Sequence, residues 1–358
     1  MIVLAENCVS IERNGHVAWR FLDMKFVLKL AFAAALVSLT PANPSTAQEI
    51  PKIKLGYAKC AHCLPMSLTP DYAKNISLET INFNSGNDVL TALVSKSIDV
   101  AQVTYLHYIT ALDKGMDVVA VSGQINGGSE CVSSNKLDLP GEDWAKFKSL
   151  TAKAKADGTP LKVAASRGNA QDIHMRGAFM KQGIDPNKDI QFVNIPNPSD
   201  HLAALQRGDV DMICSVEPFA SQIKMAGAGK HFVLPYDQAA GNLTNLIVTR
   251  SDVIASNKAG VQGTVSAVVT LVDVLKKDQS KWIETITKLT GLDAAVAKEA
   301  LVNAYPDYSI HMSSTLAIAD MMRDLKYISS DVSATAKKNI DYSFLMAATG
   351  KPKSALGE

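Results

Sequence analysis

The sequence predicts an α/β protein built from two similar lobes. Short apolar runs alternate with amphipathic stretches, and this rhythm restarts after a turn-rich break at 138–143. Each half also contains the same local pattern, at 90–100 and again at 202–212: a helical stretch that ends in a tight turn before a short strand. Because alternating strands and helices form parallel-rich sheets with helices on their faces, the chain is assigned to the α/β class.

The elements follow from hydrophobic periodicity and from turn residues. The first half is predicted to contain strands 52–57, 76–83, 97–102 and 118–122, with helices 87–95 and 105–114. The second half is predicted to contain strands 161–165, 190–194 and 210–214, with helices 170–182, 199–207 and 217–225. A strand at 246–249 would return to the first lobe, ahead of helices 259–277, 281–289, 292–304 and 315–326.

The first 47 residues carry an export signal. Lys25 and Lys29 precede the apolar run 30–37, and Ser45 and Ala47 fit the small-residue positions before a cleavage site. Segment 24–47 is therefore read as a signal peptide cut after Ala47, segment 1–23 as an over-long gene start, and the mature protein as periplasmic. The apolar run is too short to span a bilayer comfortably.

The charge balance excludes several classes of partner. The whole chain carries a net charge of +1, and the part after Ala47 contains 32 basic and 32 acidic residues. A neutral protein has no electrostatic footprint for nucleic acid or for an anionic membrane. No Walker loop and no Gly-x-Ser-x-Gly motif is present.

An ordered set of short motifs resembles a known family. The set comprises Leu55-Gly-Tyr57, Phe83-Asn-Ser-Gly86, Ile98-Asp-Val-Ala101, Ser166-Arg-Gly168, Gly208-Asp-Val-Asp211 and Glu217-Pro-Phe219. In this order the motifs resemble the periplasmic substrate-binding proteins of ABC importers, in the branch that takes nitrate, sulfonates, taurine and thiamine-pyrimidine precursors. The resemblance extends over about 52–347.

The resemblance implies the type II fold of periplasmic binding proteins, in which two crossing strands join two lobes that close over a ligand. Lobe one would comprise 50–133 and 246–358, lobe two 134–245, and the crossings would fall near 131–136 and 242–248. Many relatives carry an aromatic residue where Val216 stands, so a ring-stacking surface is not expected here.

Ligands of such folds lie in the crevice, at the carboxyl ends of strands and the amino ends of helices. Candidate contacts at predicted strand–helix junctions are Asn84, Ser85, Thr104, Ser166, Arg167, Gly168, Asn169 and Glu217. Helix N–H groups and a backbone exposed at Gly168 would favour an anion. Each polar residue has a second interpretation: the short polar side chains could cap their helices, Arg167 could point into solvent, and Glu217 could be structural.

The cysteines left after cleavage map toward the same crevice: Cys60, Cys63, Cys131 and Cys214. Four hypotheses stay open: a Cys60–Cys63 or Cys63–Cys131 disulfide, a thiol-lined pocket for a soft metal or organometal, unpaired structural thiols, and a redox dithiol. His62 could complete a site with Cys60, Cys63 and Cys131, although no metal site is predicted from spacing alone.

The function that the resemblance implies is capture of a small anionic or polar ligand and its delivery to a permease and ATPase complex in the inner membrane. This role requires no cofactor and no covalent chemistry, and the protein is expected to be a monomer and not an enzyme. Two alternatives come from other classes: a cysteine-dependent enzyme similar to the pyrimidine-precursor synthases, and a periplasmic sensor that docks on a receptor kinase.

Overall fold

Two separate β-sheets organise the chain in the computed structural model, which describes residues 49–358. The over-long start 1–23 and the signal peptide 24–47 lie outside the described residues. The strands, in chain order, are β1 (Lys52–Ala58), β2 (Ser77–Phe83), β3 (Val100–Thr104), β4 (Val119–Gly127), β5 (Ser129–Ser134), β6 (Lys162–Ala165), β7 (Gln191–Asn194), β8 (Met212–Val216), β9 (Gly229–Val233), β10 (Asn245–Thr249) and β11 (Ala304–Asp307).

The α-helices are α1 (Gly86–Val94), α2 (Tyr105–Asp113), α3 (Trp144–Ala156), α4 (Ala170–Lys181), α5 (His201–Arg207), α6 (Phe219–Met225), α7 (Ser251–Lys277), α8 (Ser280–Thr290), α9 (Ala294–Ala300), α10 (Met312–Asp324), α11 (Ser333–Lys338) and α12 (Ser343–Thr349). Short 3₁₀ helices cover Leu64–Tyr72, Pro198–Asp200, Leu301–Asn303 and Lys353–Leu356.

The first sheet has the strand order β11-β4-β10-β3-β1-β2. β1 is parallel to both β2 and β3, whereas β10 is antiparallel to β3 and β4. The carboxyl ends of β1, β2 and β3 therefore share one edge of this sheet. In β3 the first four residues are buried, which is the pattern of a strand covered by helices on both faces.

The second sheet has the order β7-β6-β8-β5-β9. β6 is parallel to β7 and β8, and β5 is antiparallel to β8 and β9. A cluster of aromatic side chains fills one face of this sheet, with Phe147 and Phe179 in contact at a centroid distance of 5.0 Å. Two sheets with their own apolar cores confirm the predicted pair of α/β lobes.

The chain passes from the first sheet to the second at the junction of β4 and β5, and it returns through the segment between β9 and β10. Gly127 and Gly128 at this junction have φ values of +91° and +84°, a conformation that glycine adopts without steric cost. The crossing predicted at 131–136 falls within and just after β5, so the change of sheet comes earlier than expected. The lobe ranges stay predictions, although residues 129–133 join the second sheet.

The C-terminal third is largely helical and packs against the first sheet. α7 contacts β4 and α12, and its backbone is kinked at Asn257. By length and composition α7 could cross a membrane, but 56% of its apolar window is buried within the protein. We therefore treat it as a core helix of the first lobe.

Candidate functional site

A small cavity of about 40 Å³ lies where strand ends of both sheets face each other. The residues that line it are Ala58, Lys59, Cys60, His62, Cys63, Asn84, Ser85, Gly86, Gln102, Val103, Thr104, Asn169, Ala170, Gln171, Pro198, Val216 and Asn245. Seven of the predicted contact residues are among them: Cys60, His62, Cys63, Asn84, Ser85, Thr104 and Asn169. The other six, Cys131, Ser166, Arg167, Gly168, Cys214 and Glu217, do not line it.

The loop after β1 forms one wall of the cavity and is closed by a disulfide between Cys60 and Cys63. Two contacts hold this loop in place. The indole Nε1 of Trp282 donates a hydrogen bond to the Ala61 carbonyl at 2.6 Å, and the Ala61 N–H donates to the Glu217 carbonyl at 2.7 Å. Since Glu217 follows β8 of the second sheet, the loop connects the two lobes.

His62 lies in this wall with only 2% of its surface exposed. Within the part of the chain that the structure describes, neither ring nitrogen has a hydrogen-bond partner, and Nδ1 is fully buried. Burial, and next the nearby His174, lower the pKa of His62 to about 3. The imidazole is therefore neutral at physiological pH and offers the cavity a hydrogen-bond donor or acceptor without a charge.

A chain of amide side chains forms the floor of the cavity. The Gln102 side chain accepts from the Ala58 N–H at 3.3 Å and donates to Asn245 Oδ1 at 2.9 Å. Asn245 donates in turn to Gln124 Oε1 at 3.1 Å, and Gln124 donates to the His62 carbonyl at 2.8 Å. Each of these amides is almost completely buried, so the network fixes the positions of both Gln102 and the loop.

The amino end of α1 forms a second wall. Ser85 caps the helix: its hydroxyl accepts from the Asp88 N–H at 3.3 Å, and the Asp88 carboxylate accepts from the Ser85 N–H at 3.1 Å. Ser85 is thus a helix cap that also lines the cavity, so the capping role and the ligand-contact role considered from the sequence are compatible. Asn84 is exposed at the entrance.

Thr104 also serves as a helix cap at the cavity, at the start of α2. Its hydroxyl and N–H both lie within hydrogen-bond distance of His107 Nδ1, at 2.8 and 3.2 Å. His107 Nε2 lies 3.1 Å from Asn87 Oδ1, which requires the proton on Nε2. Burial lowers the pKa of His107 to about 4, so this neutral tautomer is maintained at pH 7.

The amino end of α4 brings the second lobe to the cavity through Asn169, Ala170 and Gln171. The neighbouring predicted contacts have structural roles. The Ser166 hydroxyl donates to the Ile195 carbonyl at 2.9 Å, and the Gly168 N–H donates to Asp172 Oδ2 at 3.0 Å. Arg167 is exposed, with its guanidinium 4.7 Å from the centre of the Phe192 ring. Ser166, Arg167 and Gly168 do not line the cavity, but the Arg167 carbonyl accepts a hydrogen bond from Asn87 Nδ2 of the first lobe at 3.5 Å.

Cys131 and Cys214 form a second disulfide and do not line the cavity. They are directly opposite each other in the antiparallel pair β5–β8, with a Cα–Cα distance of 3.9 Å. These pairs contradict the alternative bridge between Cys63 and Cys131 and the hypothesis that Cys214 is an unpaired core thiol. The bridge between Cys60 and Cys63 is the one that the sequence correctly included.

Glu217 is buried behind the cavity wall and has a structural role. Its carboxylate accepts from the Ser221 N–H at 3.0 Å, in the first turns of α6. Burial, together with the nearby Glu130, raises the pKa of Glu217 to about 8. Glu130 itself is paired with Lys224 at 2.9 Å and with His231 at 2.7 Å, which lowers its pKa. At neutral pH the pair thus holds one proton, on Glu217.

The electrostatic character of the cavity favours an anion or a neutral polar group. Lys59 is the cationic residue of the lining, no lining residue is a carboxylate, and in the described residues Lys59 forms no ion pair. The amino ends of α1 and α4 also face the cavity, and the carboxylates of Asp88 and Asp172 in their first turns offset part of the positive charge of the helix dipoles. Ala58, Val103, Ala170, Pro198 and Val216 are the apolar part of the lining, and no Phe, Tyr or Trp ring lines it.

The side chains of Cys60, His62 and Cys63 could in principle hold a metal ion, since their donor atoms lie within 4.8 Å of one another. The two sulfur atoms are joined in the disulfide, however, and only thiolates are strong ligands for soft metals. In this oxidised state the cluster is a pocket wall with one neutral imidazole. A redox or metal role would require reduction of the bridge.

Gln102, Asn245 and Gln171 are site residues that sequence analysis missed. Gln102 interrupts the apolar strand β3 and Asn245 begins the apolar strand β10, and a buried amide at such a position marks a polar network or a ligand contact. Gln171 follows Asn169 in the first turn of α4 and could have been included with it.

Comparison with known proteins identifies the family. Residues 46–289 match the NMT1-like family, which is more than half of the chain. The chain belongs to the NMT1-like family. This result confirms the family resemblance inferred from the ordered motifs.

Solved structures of similar fold support the two-lobe architecture. The alkanesulfonate-binding protein SsuA from Xanthomonas axonopodis pv. citri bound to MOPS is 17% identical, with a TM-score of 0.67 over 82% of this chain and 98% of that one. The periplasmic nitrate-binding protein NrtA from Synechocystis PCC 6803 is 17% identical, with a TM-score of 0.72 over 86% of this chain and 91% of that one. At these identities the likeness establishes the fold of periplasmic binding proteins.

A curated relative matches a shorter stretch. The nitrate/nitrite binding protein NrtA of Synechococcus elongatus is 37% identical over 79 residues, which is 22% of this chain. The matched stretch spans 18% of the length of that relative.

Proposed function

We propose that this NMT1-like protein is a periplasmic solute-binding protein that captures a small anionic or polar ligand in the cavity and delivers it to an ABC permease and ATPase. The proposed ligand class is that of nitrate, sulfonates, taurine and pyrimidine precursors. The observation that carries the proposal is the cavity itself, which is enclosed by the amino ends of α1 and α4 from opposite lobes and contains one cation and no carboxylate.

The ligand contacts follow from the geometry. Lys59 would supply the charge that pairs with an anion, and Gln102 and Asn169 would supply amide donors. Neutral His62, which has no partner in the described part of the protein, would bind the ligand through a ring nitrogen. The volume of about 40 Å³ favours a compact ligand in this closed arrangement, and longer sulfonates would require wider separation of the lobes.

Binding without turnover is the proposed mode of action. A cysteine-dependent synthase needs a thiolate, whereas Cys60 and Cys63 are paired beside a neutral imidazole. The similar solved proteins named above are binding proteins, which supports the same interpretation. The protein is proposed to act as a monomer after cleavage behind Ala47, with the lobes 50–133 plus 246–358 and 134–245 adjusted so that β5 belongs to lobe two.

The test is a titration of the purified chain 48–358 with nitrate, taurine, alkanesulfonates and pyrimidine precursors by calorimetry and thermal shift. A ligand at 100 times its dissociation constant should stabilise the native state by about 2.7 kcal/mol. Lys59→Gln should weaken binding of an anion about tenfold and reduce its dependence on salt. Lys74→Gln, which removes an exposed lysine outside the cavity, is the matched control.

Three outcomes would contradict the proposal. If no member of the panel binds, or if Lys59→Gln and Lys74→Gln bind equally well, the cavity is not the anion site. If NMR of the incubated ligand shows a converted product, the protein is an enzyme. Size-exclusion chromatography with light scattering should give the mass of one chain.

A further inference from the structure

A tyrosine from the first lobe reaches a buried carboxylate of the second lobe outside the ligand cavity. Asp172 lies in the first turn of α4 and is completely buried. Its Oδ1 accepts from Arg176 Nε at 2.7 Å, and its Oδ2 accepts from the Gly168 N–H at 3.0 Å. The hydroxyl of Tyr327 donates a further hydrogen bond to the same Oδ2.

Tyr327 belongs to the first lobe by its connections. It follows α10, its N–H donates to the Met322 carbonyl at 2.8 Å, and α10 packs against α2 of the first sheet. The turn that aims it at α4 contains Lys326 with φ of +61°, an uncommon conformation for a non-glycine residue. The Arg176 guanidinium lies 5.7 Å from the centre of the Tyr327 ring, so the tyrosine contacts both members of the buried ion pair.

The helix that receives Tyr327 is also the helix that forms the second-lobe wall of the cavity. Asn169 and Gln171 line the cavity, and Asp172 is the next residue along the chain. Farther along α4, Gly177 packs against Met321 of α10 so closely that a Cβ at this position would overlap the sulfur atom. Helix α4 thus contacts the first lobe both at the cavity and away from it.

We propose that the Tyr327–Asp172 hydrogen bond is a latch that stabilises the closed state of the lobes, with Tyr327 as a positioning residue for ligand capture. The proposal rests on the proposed function, because a latch has a role only if the lobes open and close around a ligand. When the lobes separate, Asp172 keeps its bonds to Arg176 and Gly168, so opening leaves no unpaired buried charge. The latch therefore adds one bond to the closed state and can be broken reversibly.

The test compares Tyr327→Phe with Tyr342→Phe in the full mature chain. Tyr342 is the matched control, since its hydroxyl donates to the Ile310 carbonyl at 2.6 Å within the first lobe. Small-angle scattering is recorded without ligand and with nitrate at 10 mM as the probe. Tyr327→Phe should increase the radius of gyration relative to wild type in at least one condition, while Tyr342→Phe should match wild type in both. Gly177→Leu, which wedges α4 from α10, should give the same increase.

Binding kinetics supply the second readout. For nitrate, Tyr327→Phe should raise the dissociation constant about tenfold, through faster dissociation, because the net value of such a bond is near the 1.4 kcal/mol of a tenfold change. Equal radii of gyration for Tyr327→Phe and wild type in both conditions, or equal dissociation rates, would overturn the latch. If the wild type binds no nitrate, the proposed ligand class loses support, whereas the scattering result still decides the latch.

Discussion

The side-chain amide of Gln102 donates to the side-chain carbonyl of Asn245 across 2.9 Å, and this contact joins β3 to β10 beneath the cavity. The side-chain amide of Asn245 donates one hydrogen bond to Gln124 Oε1 and another to the Ile125 carbonyl. The bond therefore orients Gln102 so that its remaining surface faces the ligand space. The strand that returns from the second lobe thereby determines the position of a first-lobe contact residue.

Replacing Asn245 with alanine should lower both stability and ligand affinity. The change removes three buried hydrogen bonds and leaves Gln102 Nε2 and Gln124 Oε1 without these partners, which should cost about 2–4 kcal/mol of unfolding free energy. Urea denaturation and calorimetry measure the two effects. Asn135→Ala, which removes a single exposed amide contact with the Gly227 carbonyl, serves as the control. An unchanged ligand affinity in Asn245→Ala would show that the amide network does not contribute to ligand binding.

The two disulfides should differ in their contribution to stability. The Cys131–Cys214 bridge closes a loop of sequence separation 83, and the Cys60–Cys63 bridge one of 3. By loop-closure entropy, the double alanine variants should lose about 4–5 and about 1.5–2 kcal/mol respectively. Denaturant unfolding checks this order. Titration with a thiol reagent under denaturing conditions should find no free thiol in the mature wild-type chain, and two reactive thiols would contradict the pairing.

Acid should unfold the protein through its buried neutral histidines. Burial lowers the pKa of His62 to about 3, and the pKa values of His107, His174 and His201 to about 4. Below pH 6.5 the unfolded chain binds protons that the folded chain cannot, so the free energy of unfolding falls as the pH drops from 6.5 toward 4. Each such group contributes about 1.4 kcal/mol per pH unit.

Urea denaturation between pH 4 and 7 measures this slope. His201→Gln should reduce the slope by about 1.4 kcal/mol per pH unit, which is the contribution of one titrating group. His231→Gln should not reduce it, because hydrogen bonding to Glu130 raises the pKa of His231. A slope that is the same in His201→Gln and wild type would contradict the burial of a neutral imidazole.

Glu217 should affect the pH dependence of stability in the opposite direction to the histidines, because its contribution to the free energy of unfolding falls as the pH rises. Its pKa is raised to about 8, so the folded state binds a proton that the unfolded state has released above about 4.5. The stability due to Glu217 is therefore present below pH 4.5 and is lost as the pH rises toward 8, by about 1.4 kcal/mol per pH unit. From 4.5 to 6.5 this loss partly offsets the gain from the histidines.

Glu217→Gln imitates the protonated side chain and tests this prediction. Between pH 6.5 and 8 the variant should lose the decline seen in wild type and should be the more stable protein at pH 8. Glu79→Gln, at an exposed site on β2, should leave the decline unchanged. Parallel pH profiles for Glu217→Gln and wild type would show that Glu217 is already ionised in the folded state.

The fold was largely predictable because its elements carry local signals. The strands β1, β2, β6 and β8 and the helices α1, α2 and α4 lie close to their predicted ranges. Helices α3, α11 and α12 and strand β9 were not predicted. Strands β5 and β11 were also missed: β5 follows directly from β4 across a pair of glycines, and β11 lies at the end of the segment predicted as helix 292–304. Both pair with strands distant in sequence, and this pairing overrides local propensity.

The sequence indicated which strand–helix junctions contribute residues to the cavity, but it did not indicate which side chains pair with each other. Asn84, Ser85, Thr104 and Asn169 were found because helix starts are readable from sequence. The bond between Cys131 and Cys214 depends on the register of β5 against β8, which no local pattern determines. Ser166 and Gly168 were predicted to contact the ligand. In the structure the Ser166 hydroxyl donates to the Ile195 carbonyl, just after β7, and the Gly168 N–H donates to the Asp172 carboxylate.

Gly128 has a consequence for how sequences of this kind can diverge. A Cβ at this position would overlap the His62 ring, and the glycine lies where the chain passes from one sheet to the other. Any larger residue at 128 would require a smaller residue at position 62, and it would still be strained by the backbone φ of +84°. A homologue that loses the histidine should therefore still keep the glycine, whereas a homologue that replaces the glycine should also carry a small residue at position 62.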